Sequence, residues 1–80
     1  MDAEPRYLKL MRALCDKANK TFSHPTAGDP NHDYKGEKVF AMHFRTDEDH
    51  FYLLDFEDHA IMFDDNDKEV AQLANCSSVK

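Results

Sequence analysis

Glu48-Asp49-His50-Phe51-Tyr52-Leu53-Leu54-Asp55-Phe56 is followed at once by Glu57-Asp58-His59-Ala60-Ile61-Met62-Phe63-Asp64-Asp65. The second nine residues repeat the pattern of the first. Acid-acid-His opens each, four apolar residues follow, and an aspartate closes the apolar run. Physically, this is a polar turn, a strand, and the same again, which is the pattern of an antiparallel meander. The segment before it, 38–45, alternates. Phe40, Met42 and Phe44 fall on one face, and Val39, Ala41, His43 and Arg45 on the other. Three strands are therefore expected over about 38–64. The turns between them contain no glycine, so type I turns with a bulge are expected over two-residue mirror-image turns.

Upstream, a helix is expected over about 5–20. Pro5 suits a first helical turn, where its missing N–H costs nothing. Tyr7, Met11, Leu14 and Ala18 recur at helical spacing, widened by Leu8, Leu10 and Cys15. Arg6, Lys9, Arg12, Lys17 and Lys20 occupy much of the remaining surface, so the helix is apolar on one side and basic on the other. Residues 22–36, with both glycines and two of the three prolines, read as a loop. Downstream, Asn66 as an N-cap, Glu69 three residues later, and Val70, Leu73 and Ala74 as a narrow stripe predict a short helix over about 67–75. The expected class is α+β, in the order α-β-β-β-α, as one small domain spanning 1–80.

Charge is unevenly distributed. Residues 46–80 contain ten acids against Lys68 and Lys80, a balance of −8, whereas residues 1–45 carry +2, which gives the whole chain −6. The acids alternate with apolar runs and so should occupy fixed positions on a folded surface. Such a surface attracts positively charged partners, and proteins that bind nucleic acid are the commonest of these. Direct nucleic-acid binding is disfavoured, since that normally shows a basic patch among aromatics.

No catalytic or cofactor signature emerges. His50 and His59, with Asp49, Asp58 and His43, form a candidate set of nitrogen and oxygen ligands, but their spacing matches no established metal signature. His24, His32, Asp29 and Asp33 are a weaker set. The run Asp64–Glu69 lacks the glycine and distal glutamate of a calcium loop, and helix capping explains it better. Cys15 and Cys76 are expected to be free thiols in a reducing cytosol. Neither has a sequence neighbour that would activate it. No apolar run exceeds four residues, which excludes a helical membrane span. Cofactors and catalytic residues are expected to be absent, and the compartment is expected to be cytoplasmic.

Small size, acidity, few glycines and one α+β domain together look like the class of phage-encoded inhibitors of restriction or CRISPR systems. The resemblance is one of type and rests on no motif. It implies an inhibitor or regulator, with DNA mimicry as its mode, acting in a host cytoplasm. Its carboxylates at Asp47, Glu48, Asp49, Glu57, Asp58, Asp64, Asp65 and Asp67 would meet a basic groove on another protein. The alternative reading is a structural or assembly protein that dimerises through a sheet face using Phe51, Leu53, Ile61 or their opposite-face neighbours. A hydrolase built on His43, His50 and His59 is a third.

Overall fold

The computed structural model describes residues 5–21, 25–46 and 49–79. One helix, α1 (Arg6–Lys17), is followed by five strands: β1 (Pro25–Tyr34), β2 (Glu37–Arg45), β3 (His50–Asp55), β4 (His59–Asp64) and β5 (Glu69–Ala74). A short 3-10 turn spans Cys76–Ser78. The strands form a single antiparallel sheet in the order β1-β2-β3-β4-β5, each pairing with its sequence neighbour.

The expected α-β-β-β-α order is overturned at both flanks of the meander. Residues 25–34, expected as loop, form β1 at one edge of the sheet. An edge strand tolerates prolines and glycines because half its backbone groups have no partner to lose. Pairing of β1 with β2 shifts register between Pro25 and Ala27 and again between Asp29 and His32, bulges that erase a period-two signal. A Cβ at Gly28 would lie 3.2 Å from Met42 Cε, so a side chain there would have to displace that flexible methionine end by a few tenths of an ångström.

The expected C-terminal helix is also a strand. In β5 the register shifts opposite Met62/Phe63, where Val70 is the extra residue between Glu69 and Ala71. That one-residue bulge places Val70, Ala71 and Leu73 against the helix-side core, and the resulting spacing imitates a helical stripe. The presumed N-cap region is a hairpin turn. Asp67 N–H donates to Asp64 O (3.0 Å) and Asp64 N–H donates to Lys68 O (2.9 Å). The Asp64 carboxylate accepts from the backbone N–H groups of Asn66 and Lys68 at 2.8 and 3.0 Å. Asp67 takes the left-handed position (φ 60°) that this type I turn with a bulge requires.

α1 covers one face of the sheet. Leu10, Met11, Leu14 and Cys15 pack there with Met42, Phe44, Phe51, Leu53, Ala60, Met62 and Cys76. Phe51 and Leu53 therefore lie under the helix, which removes them as dimer-face residues. On the opposite face no further element is stacked among the described residues. The Cα envelope of 36 × 32 × 22 Å accommodates two layers in its short direction. Val39, Ala41, Leu54, Ile61 and Phe63 on that face are nonetheless at most 9% exposed. Tyr34, Tyr52 and Phe56 are packed against them and supply the cover. A layer of rings thus takes the place of a layer of structure.

Candidate functional site

A meander fixes which turns share an end. The turn joining β2 to β3 and the turn joining β4 to β5 lie at one end of the sheet. The turn joining β3 to β4 lies at the other, roughly 20 Å away along six residues of strand. The candidate acids divide accordingly. Asp49, Asp64, Asp65 and Asp67 belong to the first end, and Glu57 and Asp58 to the second. Asp47 and Glu48 lie outside the described residues.

At the first end, Asp49, Asp65 and Asp67 are exposed. Asp64 is half-buried and spends its carboxylate on the turn that carries Asp65 and Asp67. Asp67 accepts a hydrogen bond from the Tyr52 hydroxyl at 2.8 Å. Burial first, and then this bond, push the Tyr52 phenol well above its ordinary value. His43, His50, Phe51 and Tyr52 line a depression with Asp65 and Asp67. The His43 ring lies 6.4 Å from that of His50 and 5.5 Å from that of Tyr52.

At the second end, Asp58 Oδ1 lies 2.6 Å from His59 Nδ1. This contact holds the Asp58 carboxyl below the usual carboxylate range. The His59 ring stacks on Phe56, with centroids 4.5 Å apart and planes within 6°. Glu57 adopts φ 79°, and its N–H donates to Asp55 Oδ1 at 2.9 Å.

The expected histidine pairing does not form. His50 opens β3 at one end and His59 opens β4 at the other, so the sheet length separates them, and His50 neighbours His43 instead. An antiparallel partner begins where its neighbour stops, which is why two strand-opening residues of consecutive strands cannot meet. Among the described residues, no group of three or more His, Cys, Asp or Glu side chains is placed to hold a metal ion. In the other candidate set, His32 Nδ1 lies 3.9 Å from Asp29 Oδ2, and Asp33 approaches Lys38 at 4.0 Å. His24 lies outside the described residues. Cys15 and Cys76 are free and buried, and burial pushes both thiols up, away from thiolate chemistry.

One residue with a large structural role had no sequence signal beyond its charge. Arg6, counted among the basic helix residues, turns inward. Its Nε and Nη2 donate to Asp55 Oδ2 and Oδ1 at 2.9 and 3.1 Å, a two-pronged ion pair. Nη2 also donates to Glu57 O at 2.6 Å. Nη1 donates to Cys76 O at 2.8 Å and to Val79 O. Helical spacing alone cannot reveal this, because Arg6 and Asp55 are 49 positions apart.

Comparison of the chain with protein-family models, with curated proteins and with solved structures finds no match. Among the described residues no helix is long and apolar enough to cross a membrane.

Proposed function

We propose that this chain is a non-catalytic acidic binding protein that blocks a basic, nucleic-acid-binding surface of another protein, as a phage-type inhibitor does. The observation that supports this reading is the end of the sheet formed by two adjacent turns. There Asp49, Asp65 and Asp67 are exposed and, among the described residues, have no ion-pair partner. Like charges gathered at one end of a sheet repel and cost stability, so their placement favours a role in contact with an opposite charge. Asp64 and Tyr52 fix the turn from below, which lowers the ordering cost of binding.

The acids do not run as one row of phosphate-like charges along a strand. They form two patches at opposite ends, and in the second patch Asp58 is already engaged by His59. The contact surface proposed is therefore the end with Asp49, Asp65 and Asp67, with Glu57 and Asp58 as a separate, weaker patch.

The test is a pull-down with this protein as bait, in which captured proteins are released by rising salt and identified by mass spectrometry. Asp49→Lys combined with Asp65→Lys is the matched control, since neither carboxylate bonds within the fold among the described residues. The expected result is a nucleic-acid-binding protein that elutes at intermediate salt, is competed by added DNA or RNA, and binds the variant at least about tenfold more weakly. An interaction indifferent to salt and to both substitutions would overturn the reading.

A further inference from the structure

The end of the sheet that carries Asp65 and Asp67 is hollowed as well as acidic. Its depression measures about 290 Å³ and is lined by His43, His50, Phe51, Tyr52, Asp65 and Asp67. Strand pairing builds it. His43 on β2 lies opposite Tyr52 on β3, and His50 opens β3 two residues before Tyr52, so three rings share one face of two adjacent strands. The turn between β4 and β5 brings two carboxylates to the same place.

The walls are fixed before anything binds. Tyr52 stacks on Phe63 with centroids 5.1 Å apart and planes within 15°. Its hydroxyl donates to Asp67 Oδ1 at 2.8 Å, which holds that carboxylate against the ring. The His43 ring lies beside Tyr52, at 5.5 Å. Among the described residues Asp67 Oδ2, the Asp65 carboxylate and both imidazoles make no hydrogen bond or ion pair.

Size and lining together restrict the ligand. Small-molecule sites usually run from about 300 to 1,000 Å³, so this one takes a single side chain rather than a nucleotide. Carboxylates at its margin repel anions, and no three ligands are placed for a metal ion among the described residues. A flat cation satisfies both parts of the lining: ring faces attract its charge, and carboxylates accept its N–H groups. Arginine has that shape, whereas the lysine ammonium is a compact and strongly hydrated point charge. Arg45 lies opposite His50 but outside the lining, so the chain's own guanidinium does not fill the space.

We propose that this depression receives one arginine side chain of the partner. The guanidinium lies against the His43 and Tyr52 rings and donates to Asp65 and Asp67. The proposal rests on the reading of this end as the contact surface, and it names the residue type that the surface grips. Arginine is among the residues that most often anchor protein interfaces. An acidic patch alone attracts lysine and arginine alike, and the rings are what separate them.

The test is titration with the blocked tripeptides Gly-Arg-Gly, Gly-Lys-Gly and Gly-citrulline-Gly, followed by NMR of the histidine and tyrosine rings. Citrulline keeps the shape of arginine without its charge. Gly-Arg-Gly is expected to shift the His43, His50 and Tyr52 resonances and to bind at least about threefold more tightly than Gly-Lys-Gly, the cation–π contribution at a partly exposed site. Gly-citrulline-Gly should leave those resonances in place. His43→Ala keeps every carboxylate and should abolish the preference for arginine. His50→Ala, at an exposed position, makes the same test should the first variant unfold. Equal binding of the two cationic peptides, or a preference that survives both histidine substitutions, would overturn the proposal. Either result leaves salt-sensitive capture of a nucleic-acid-binding protein untouched, and loss of that capture beside an intact arginine preference would strike the functional reading alone.

Discussion

Arg6 joins the start of the helix to Asp55 at the end of β3, to the turn at Glu57 and to the tail at Cys76 and Val79. Its side chain is 25% exposed and that of Asp55 is 11%, so solvent screens the pair only in part. Removing the guanidinium leaves the Asp55 carboxylate with only the Glu57 N–H and Cys76 O with only the Val79 N–H, and takes the arginine donor from Glu57 O and Val79 O. Arg6→Ala is expected to cost about 2–3 kcal/mol in the denaturant midpoint, and Arg6→Lys to recover little, because an ammonium lacks the planar fork. Tyr52 makes a smaller contribution with a distinct pH signature. Its phenol has a raised pKa in the folded state, so the stability it adds is complete below the ordinary value near 10. That stability is lost as pH climbs from there toward the folded value. Tyr52→Phe should lose about 1 kcal/mol near neutrality through the missing bond to Asp67. Relative to the wild type, this deficit should shrink in denaturation curves taken at increasingly alkaline pH.

At the scale of elements, the hairpin turns decide the sheet. The turn between β1 and β2 places Lys35 and Gly36 at φ 52° and 85°, the pair of left-handed residues of a two-residue mirror-image turn. A Cβ at Gly36 would meet nothing within 4 Å, so Gly36→Ala tests backbone strain alone and should cost about 1 kcal/mol in thermal or chemical unfolding. Lys35-Gly36 is a weaker hairpin signal than Asn-Gly, and this is why the first hairpin was hard to read in the sequence. The three central strands were legible because 38–45 alternates and because the nine-residue repeat sets two four-residue apolar runs between polar turns. β1 was hidden by prolines that only an edge strand tolerates, and β5 by the extra residue at Val70. At the candidate site, the sequence supplied the acids but not their division between two ends. That division depends on strand direction, and neighbouring acids in the chain fall at opposite ends when a whole strand lies between them. The His50–His59 pairing failed for the same reason.

For the whole molecule, the helix layer is basic and three of the sheet's four turns are acidic, yet the net charge of −6 leaves an excess of repulsion. The variant with Asp49→Lys and Asp65→Lys reduces that excess without touching a hydrogen bond among the described residues. It is expected to unfold at a denaturant concentration equal to or slightly above that of the wild type, a gain of a few tenths of a kcal/mol, while its binding falls. A clear loss of stability instead would mean that these carboxylates support the fold.

The grip of Arg6 also sets a timetable for synthesis. All its partners, at Asp55, Glu57, Cys76 and Val79, leave the ribosome long after the helix does. Leu10, Met11 and Leu14 likewise wait for β4 and β5 before they can be covered. An emerging chain therefore carries a bare apolar helix until β5 has left the ribosome. Nascent copies stalled before Cys76 are the form most exposed to chaperones and proteases.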